Sequence, residues 1–102
     1  MRIVSLFDTM IVNFADKDTQ RVWEGTGTRK WHPDIQRLAM RKLFIIHAAG
    51  SINDLIVPPG NRLHRLKGDM KEYWAIRVND QWRIIFKWIE NKVYDVEIID
   101  YH

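Results

Sequence analysis

The sequence has no cysteine, only five glycines and three prolines, and no apolar run near the 18 residues of a membrane span. Without cysteine there can be no disulfide framework, thiol nucleophile or thiolate zinc site. The scarcity of glycine and proline, with 46% hydrophobic and 28% charged residues, excludes a disordered or low-complexity chain. The opening residues, 1–8, have too short an apolar run for a secretory signal and include an acid, Asp8. A cytoplasmic protein with no membrane partner is expected. At 102 residues there is room for one domain and one core.

Aromatic residues and unevenly placed cations are well supplied. The net charge is only +3, but residues 29–42 hold five bases and one acid, and residues 62–87 hold seven bases and three acids. Residues 88–102 reverse the balance, with one base and four acids. A polyanion is therefore drawn to the middle of the chain. Taken alone, such stretches are also what solvated faces look like.

Hydropathy patterning divides the chain into a helical first half and a β-rich second half, an α+β order rather than alternating βαβ units. A short strand is expected at 10–14, followed by a helix at 16–24 closed by Gly25. Pro33 opens a longer helix, in which Ile35, Leu38, Ala39, Leu43, Ile46 and Ala49 recur at helical spacing and Gly50 supplies the stop. One more helical turn is expected at 51–55, then a loop at Val57-Pro58-Pro59-Gly60. Strands are expected at 62–66, 72–78, 81–88 and 93–99. The short gaps between them imply hairpins and an antiparallel meander.

Alternation assigns the faces. Trp74, Ile76, Val78, Trp82, Ile84, Phe86, Trp88, Tyr94, Val96 and Ile98 belong to an apolar face that packs on the helices. Tyr73, Ala75, Arg77, Arg83, Ile85, Lys87, Asp95, Glu97 and Ile99 belong to the other face, left open to solvent or ligand. Three of the five tryptophans are thus core residues, and Tyr73 is the better stacking group for a base.

The residues able to do chemistry are Asp100-Tyr101-His102, His64, Lys67 and Arg83. By itself a terminal Asp-Tyr-His reads as a frayed tail, and His64 as an exposed strand residue. Brought together, they suit phosphodiester cleavage: one group takes a proton, another returns one, and cations stabilise the charge at phosphorus. Imidazole serves both proton roles because its unperturbed pKa is about 6.5. His32 reads as a loop residue and His47 as a structural one. The histidines show no ligand spacing, so neither a metal site nor a cofactor is expected.

Four blocks now stand in order: Val57-Pro58-Pro59-Gly60-Asn61-Arg62-Leu63-His64-Arg65-Leu66-Lys67-Gly68-Asp69, Tyr73-Trp74-Ala75-Ile76-Arg77, Asn79-Asp80-Gln81-Trp82-Arg83-Ile84, and 94–102 ending in Asp100-Tyr101-His102. In this order they resemble the HigB (proteic killer) toxins of bacterial type II toxin–antitoxin modules, in the RelE/ParE superfamily. The likeness runs from about residue 10 to 102. Residues 1–9 then form an extension, and 10–102 the toxin domain. The resemblance implies a RelE-like α+β domain: a short first strand and two helices packed on a curved antiparallel sheet.

It also implies a metal-independent endoribonuclease that cleaves mRNA in the ribosomal A site and stops translation. A HigA-type antitoxin neutralises it, and operator DNA is met only through the toxin–antitoxin complex. Carried over residue by residue, the catalytic set is His64, Arg83, Asp100, Tyr101 and His102. Lys67 contacts phosphate. Apart from the resemblance, face and charge make Arg65, Tyr73, Arg77 and Lys87 the further RNA-binding candidates. The mRNA 2′-hydroxyl would attack its adjacent phosphate, with His64 and His102 as the proton-transfer pair. Two other readings share the fold: a ParE-like gyrase inhibitor, indifferent to Asp100, Tyr101 and His102, and a non-catalytic binder of RNA or ribosome.

Overall fold

The computed structural model describes residues 11–101. The expected extension at 1–9, Met10 and the catalytic assignment of His102 lie outside the described residues.

Two helices form where patterning and capping agree. In α1 (Lys17–Glu24), the Asp16 side chain accepts the Thr19 N–H at 3.1 Å. Gly25, at φ 83°, closes the helix in the left-handed conformation. In α2 (Pro33–Ala48), proline occupies the first turn and His32 is the cap, its Nδ1 accepting the Asp34 N–H at 3.0 Å. Gly50 does not act as the expected glycine stop: Ala49 caps α2 in an extended conformation. The Asp54 carboxylate then accepts the N–H groups of Gly50 and Ser51 at 2.8 and 3.3 Å. The additional turn is a 3-10 helix, Ile52–Ile56.

Four strands follow: β1 (His64–Arg65), β2 (Tyr73–Arg77), β3 (Trp82–Ile89) and β4 (Lys92–Asp100), in the order β1-β2-β3-β4 and all antiparallel. This is the expected meander. β1 is shorter than expected because Arg62, at φ 48°, ends a 3-10 turn at Pro59–Asn61 instead of entering the strand. The helices cover one face. Val22, Ala39, Leu43 and Ile46 are buried with Ile76, Ile84, Phe86, Val93, Val96 and Ile98, and Trp74, Trp82 and Trp88 pack against them.

Two strand expectations change. Of the segment expected as a strand at 10–14, the described residues 11–14 make isolated parallel bridges to β4, Ile11 to Val93 and Phe14 to Val96. A bulge in β4 breaks that ladder: Asp95 stands at φ 55°, and the β3–β4 register shifts between Ile85 and Lys87. Asn13 fills the gap. Its side chain donates to Asp95 Oδ1 at 2.8 Å and accepts the Asp95 N–H at 3.0 Å. The same bulge moves Tyr94 off the apolar face to lie opposite Lys87, and Val93 takes the core position.

The second face is less open than alternation suggests, since Ala75 and Ile85 at its centre are buried. Among the described residues no helix is long and apolar enough to cross a membrane.

Candidate active site

Register sets the site. On the face away from the helices, His64 lies opposite Ala75, Arg77 opposite Arg83, and Arg83 opposite Ile99. Tyr101 continues β4 on this face, its N–H donating to the Gln81 carbonyl at 2.7 Å. Its ring lies beside both functional groups. The Arg83 guanidinium carbon is 4.5 Å from the Tyr101 ring centroid, and the His64 ring is 6.2 Å away, edge-on.

His64 is held by the loop before it. Its Nδ1 lies 2.8 Å from the Arg62 carbonyl. A carbonyl only accepts, so Nδ1 carries the proton, and in the neutral ring Nε2 keeps a free lone pair. The left-handed Arg62 presents that carbonyl, and Asn61 fixes the turn. Asn61 is fully buried. Its amide donates to the Leu55 and Val57 carbonyls at 3.1 and 3.3 Å, and its oxygen accepts from Lys42 Nζ at 2.5 Å. Burial, then the charges of Arg41 and Arg77, hold the Lys42 pKa below its ordinary value. The Pro-Pro-Gly-Asn-Arg block therefore works as a clamp for His64. The sequence reading passed over Asn61; its signal is an amide side chain placed where two prolines leave carbonyls unpaired.

Arg83 is clamped at one end. Its Nη1 donates to the carbonyls of Asn79 and Trp82 at 2.7 and 3.1 Å, while its buried Nε has no partner among the described residues. The β2–β3 turn presents the Asn79 carbonyl because the Asn79 side chain accepts the N–H groups of Gln81 and Trp82 at 2.9 and 2.8 Å. Burial and the neighbouring Arg77 lower the Arg83 pKa, and Arg62 adds to this; Tyr101 and Asp80 oppose it. Arg77 pairs with Asp80, which is almost fully exposed. Arg83 thus has two guanidinium neighbours, Arg77 and Arg62, and Asp80, already paired with Arg77, is a solvated carboxylate; the excess of positive charge suits a phosphate.

The other expected site residues stand apart. Asp100 lies opposite Trp82, on the helix-covered side of the sheet edge, and accepts from Gln81 Nε2 at 3.2 Å. Arg65 also points to that side, its guanidinium 5.2 Å from the Trp74 ring centroid and bonded to the Lys71 carbonyl at 2.9 Å. Lys67 is exposed at the start of the 3-10 turn Gly68–Met70. Tyr73 and Lys87 share the face of Arg83 but occupy its far end, four residues or about 13 Å along β3. There Lys87 lies 3.3 Å from Asp95 and 3.9 Å from Glu72, and its pKa is raised, chiefly by the Asp95 hydrogen bond. Among the described residues no three histidine, aspartate or glutamate side chains gather as a metal-holding group.

An imidazole with an open Nε2, a phenol and a fixed guanidinium, in a patch of uncompensated positive charge, can accept a proton from a hydroxyl and neutralise a phosphate. Two helices on one face of a four-stranded antiparallel sheet define a RelE-like α+β fold. YafQ from E. coli, solved as a mutant, superposes with a TM-score of 0.56 over 91% of both chains at 20% identity. A Helicobacter pylori protein solved in solution superposes with a TM-score of 0.53 over 91% of this chain and 94% of that one, at 9% identity.

The chain belongs to the HigB-like toxin family, described as RelE-like toxin of type II toxin-antitoxin system HigB, which matches residues 12–102. It is 39% identical over 82 residues to toxin HigB-1 of Vibrio cholerae, covering 79% of this chain and 86% of that protein. It is 34% identical over 96 residues to endoribonuclease HigB of Proteus vulgaris, covering 91% and 100%. Membership in a toxin–antitoxin family implies an antitoxin partner. These relatives support the toxin reading and not the gyrase-inhibitor or passive-binder alternatives.

Proposed function

We propose that the chain is a ribosome-dependent endoribonuclease, an mRNA interferase that cuts messages in the A site. One observation carries the reading: His64, held through Nδ1 by the Arg62 carbonyl, and Arg83, clamped through Nη1, flank the Tyr101 ring. The relative named endoribonuclease HigB supports the same chemistry.

His64 Nε2 takes the proton from a ribose 2′-hydroxyl. The resulting oxygen attacks the adjacent phosphorus, and the bond from phosphorus to the 5′-oxygen breaks. The products are a 2′,3′-cyclic phosphate and a free 5′-hydroxyl. Arg83 stabilises the charge that builds on the phosphoryl oxygens, with Arg62 and Arg77 raising the local potential. This charge comes from the protein, so the step as written uses no metal. Tyr101 orients the reacting strand between imidazole and guanidinium. His102 is assigned the proton for the leaving oxygen, on the family resemblance. Asp100 supports the terminal segment, and Lys67 serves a flanking phosphate. The ribosome presents the codon and supplies positioning that a small toxin lacks. The antitoxin is of the HigA type, operator DNA is met through the complex, and the setting is cytoplasmic.

Toeprinting on programmed ribosomes tests this. Wild type should cut within the A-site codon and leave cyclic phosphate ends, and His64→Ala should lose the cuts. Intact transcripts with arrested translation would instead identify a binder. Undiminished growth arrest by a variant altered at both Tyr101 and His102 would point to a target other than RNA.

A further inference from the structure

The support behind His64 reaches back to a helix in the other layer. Lys42 stands on α2 beside the buried Leu43 and is itself half-buried. Its Nζ donates to Asn61 Oδ1 at 2.5 Å, 19 residues further along the chain. An ammonium is costly at this place. Burial disfavours its charged form, and the charges that weigh on it, Arg41 and Arg77, are both cations. An amide oxygen could be served by an uncharged donor; a charged one makes the stronger bond.

What that bond holds is a strained turn. Asn61 is fully buried, and its side-chain amide is tied at the other end to the Leu55 and Val57 carbonyls. Its backbone N–H donates to the Pro58 carbonyl at 2.9 Å. The next residue, Arg62, stands at φ 48° and ψ 47°, a left-handed conformation that a residue with a side chain keeps only when its surroundings impose it. That conformation directs the Arg62 carbonyl to His64 Nδ1, 2.8 Å away.

We infer that Lys42 is a positioning residue for the cleavage step: through Asn61 it fixes the Arg62 peptide, and so holds the His64 imidazole in the tautomer whose Nε2 lone pair can take the 2′-hydroxyl proton. The consequence for cleavage rests on the ribonuclease reading; the effect on the imidazole does not. Without Lys42, Asn61 loses its charged anchor, Arg62 relaxes out of the left-handed region, and its carbonyl leaves Nδ1. The ring proton then distributes over both nitrogens, and the fraction of His64 competent as a base falls. In this scheme Lys42 touches neither the message nor the reacting atoms, so binding is spared.

The test reads the imidazole directly. Full-length protein labelled with ¹⁵N-histidine is recorded near pH 8, where an imidazole of ordinary pKa, about 6.5, is neutral. The His64 ring signals are assigned by their loss in His64→Gln. In wild type Nδ1 should carry the proton. Lys42→Met, which keeps the stem and removes the donor, should give a mixture of tautomers, and Lys42→Arg should restore the wild-type pattern. Arg41→Gln removes a charge from the same helix and should leave the pattern unchanged. Thermal melts show which variants are folded; if Lys42→Met is not, Lys42→Gln, an uncharged donor, should give an intermediate mixture. Single-turnover cleavage on programmed ribosomes should fall about 10- to 100-fold in maximal rate for Lys42→Met, the usual cost of a small misplacement, with half-saturation unchanged. A folded Lys42→Met or Lys42→Gln variant with the wild-type tautomer overturns the inference. So does a shift of equal size in Arg41→Gln, or a loss confined to half-saturation. If wild type cuts no RNA, the ribonuclease reading fails by itself, and the tautomer comparison still decides whether Lys42 positions His64.

Discussion

Replacing Arg83 with glutamine separates catalytic from structural importance. The side chain makes two hydrogen bonds to the carbonyls of Asn79 and Trp82. Each is worth about 0.5–1.5 kcal/mol in net terms. Both carbonyls lie by a solvent-facing turn, so water recovers part of that loss. Against it stands the register of β2 and β3, which sets Arg83 directly opposite Arg77. Like charges at facing positions cost about 0.2–1 kcal/mol. The hydrogen bonds, about 1–3 kcal/mol together before water recovers part of them, are only partly offset by that relief. Arg83→Gln should therefore destabilise by no more than about 2 kcal/mol.

Catalysis has no such compensation. Removing the one clamped cation that faces the phosphate should slow cleavage about 10²–10³-fold, the cost of losing a preorganised group that stabilises developing charge. Arg83→Lys should fall between, because it keeps the charge but loses the planar fork and its contact with Tyr101. The assay is single-turnover cleavage at saturating programmed ribosomes, beside urea unfolding of the same preparations. A glutamine variant cutting within threefold of wild type would refute the assignment. So would one whose activity fell only in step with a large loss of stability.

Asn61→Ala should destabilise by about 2–4 kcal/mol, since the Leu55 and Val57 carbonyls each lose a buried donor; urea unfolding reads this, and cleavage should fall with it as His64 loses its support. Burial, then the nearby Asp16, raises the Glu97 pKa, so the folded state holds that proton more tightly than the unfolded chain. Glu97 thus contributes a penalty that grows as pH rises from its ordinary value near 4.5 through the raised one. Glu97→Gln should raise Tm at pH 7, and the gain should vanish below about pH 4; a gain that persists there would contradict the sign. Asp95 titrates in the opposite sense: the Asn13 hydrogen bond, chiefly, lowers its pKa, so its contribution is present above the ordinary value near 3.8 and is lost as pH falls through the lowered one. Asn13→Ala should cost about 1 kcal/mol at neutral pH and flatten the acid limb of the Tm profile.

The sequence made the site's face legible because parity is a strong signal in a regular strand. Alternation placed Arg83, Arg77 and Lys87 on one side, and β2–β3 pairing keeps them there. It failed at Tyr94, because the bulge turns on Asp95 adopting a left-handed conformation, which needs no glycine to announce it. Gly50 misled in the reverse way: a glycine after a helix looks like a stop, yet Asp54 supplies the termination. Arg65 was grouped with its neighbour His64 by sequence proximity, although adjacent strand residues face opposite ways. The convergence of His64, Arg83 and Tyr101 depends on long-range register, which local patterning does not contain. The Asn61 clamp escaped because its partners are carbonyls, which any residue could have offered.

The outer margin of β4 carries one further consequence. The Thr19 hydroxyl accepts the buried Ile98 N–H at 3.0 Å, taking the place of a neighbouring strand. With the bonds that residues 12–15 make to Val93 and Val96, one oxygen from a helix completes the cover of a border that would otherwise present open backbone groups. Valine at this buried position would keep the shape and leave the Ile98 N–H without an acceptor.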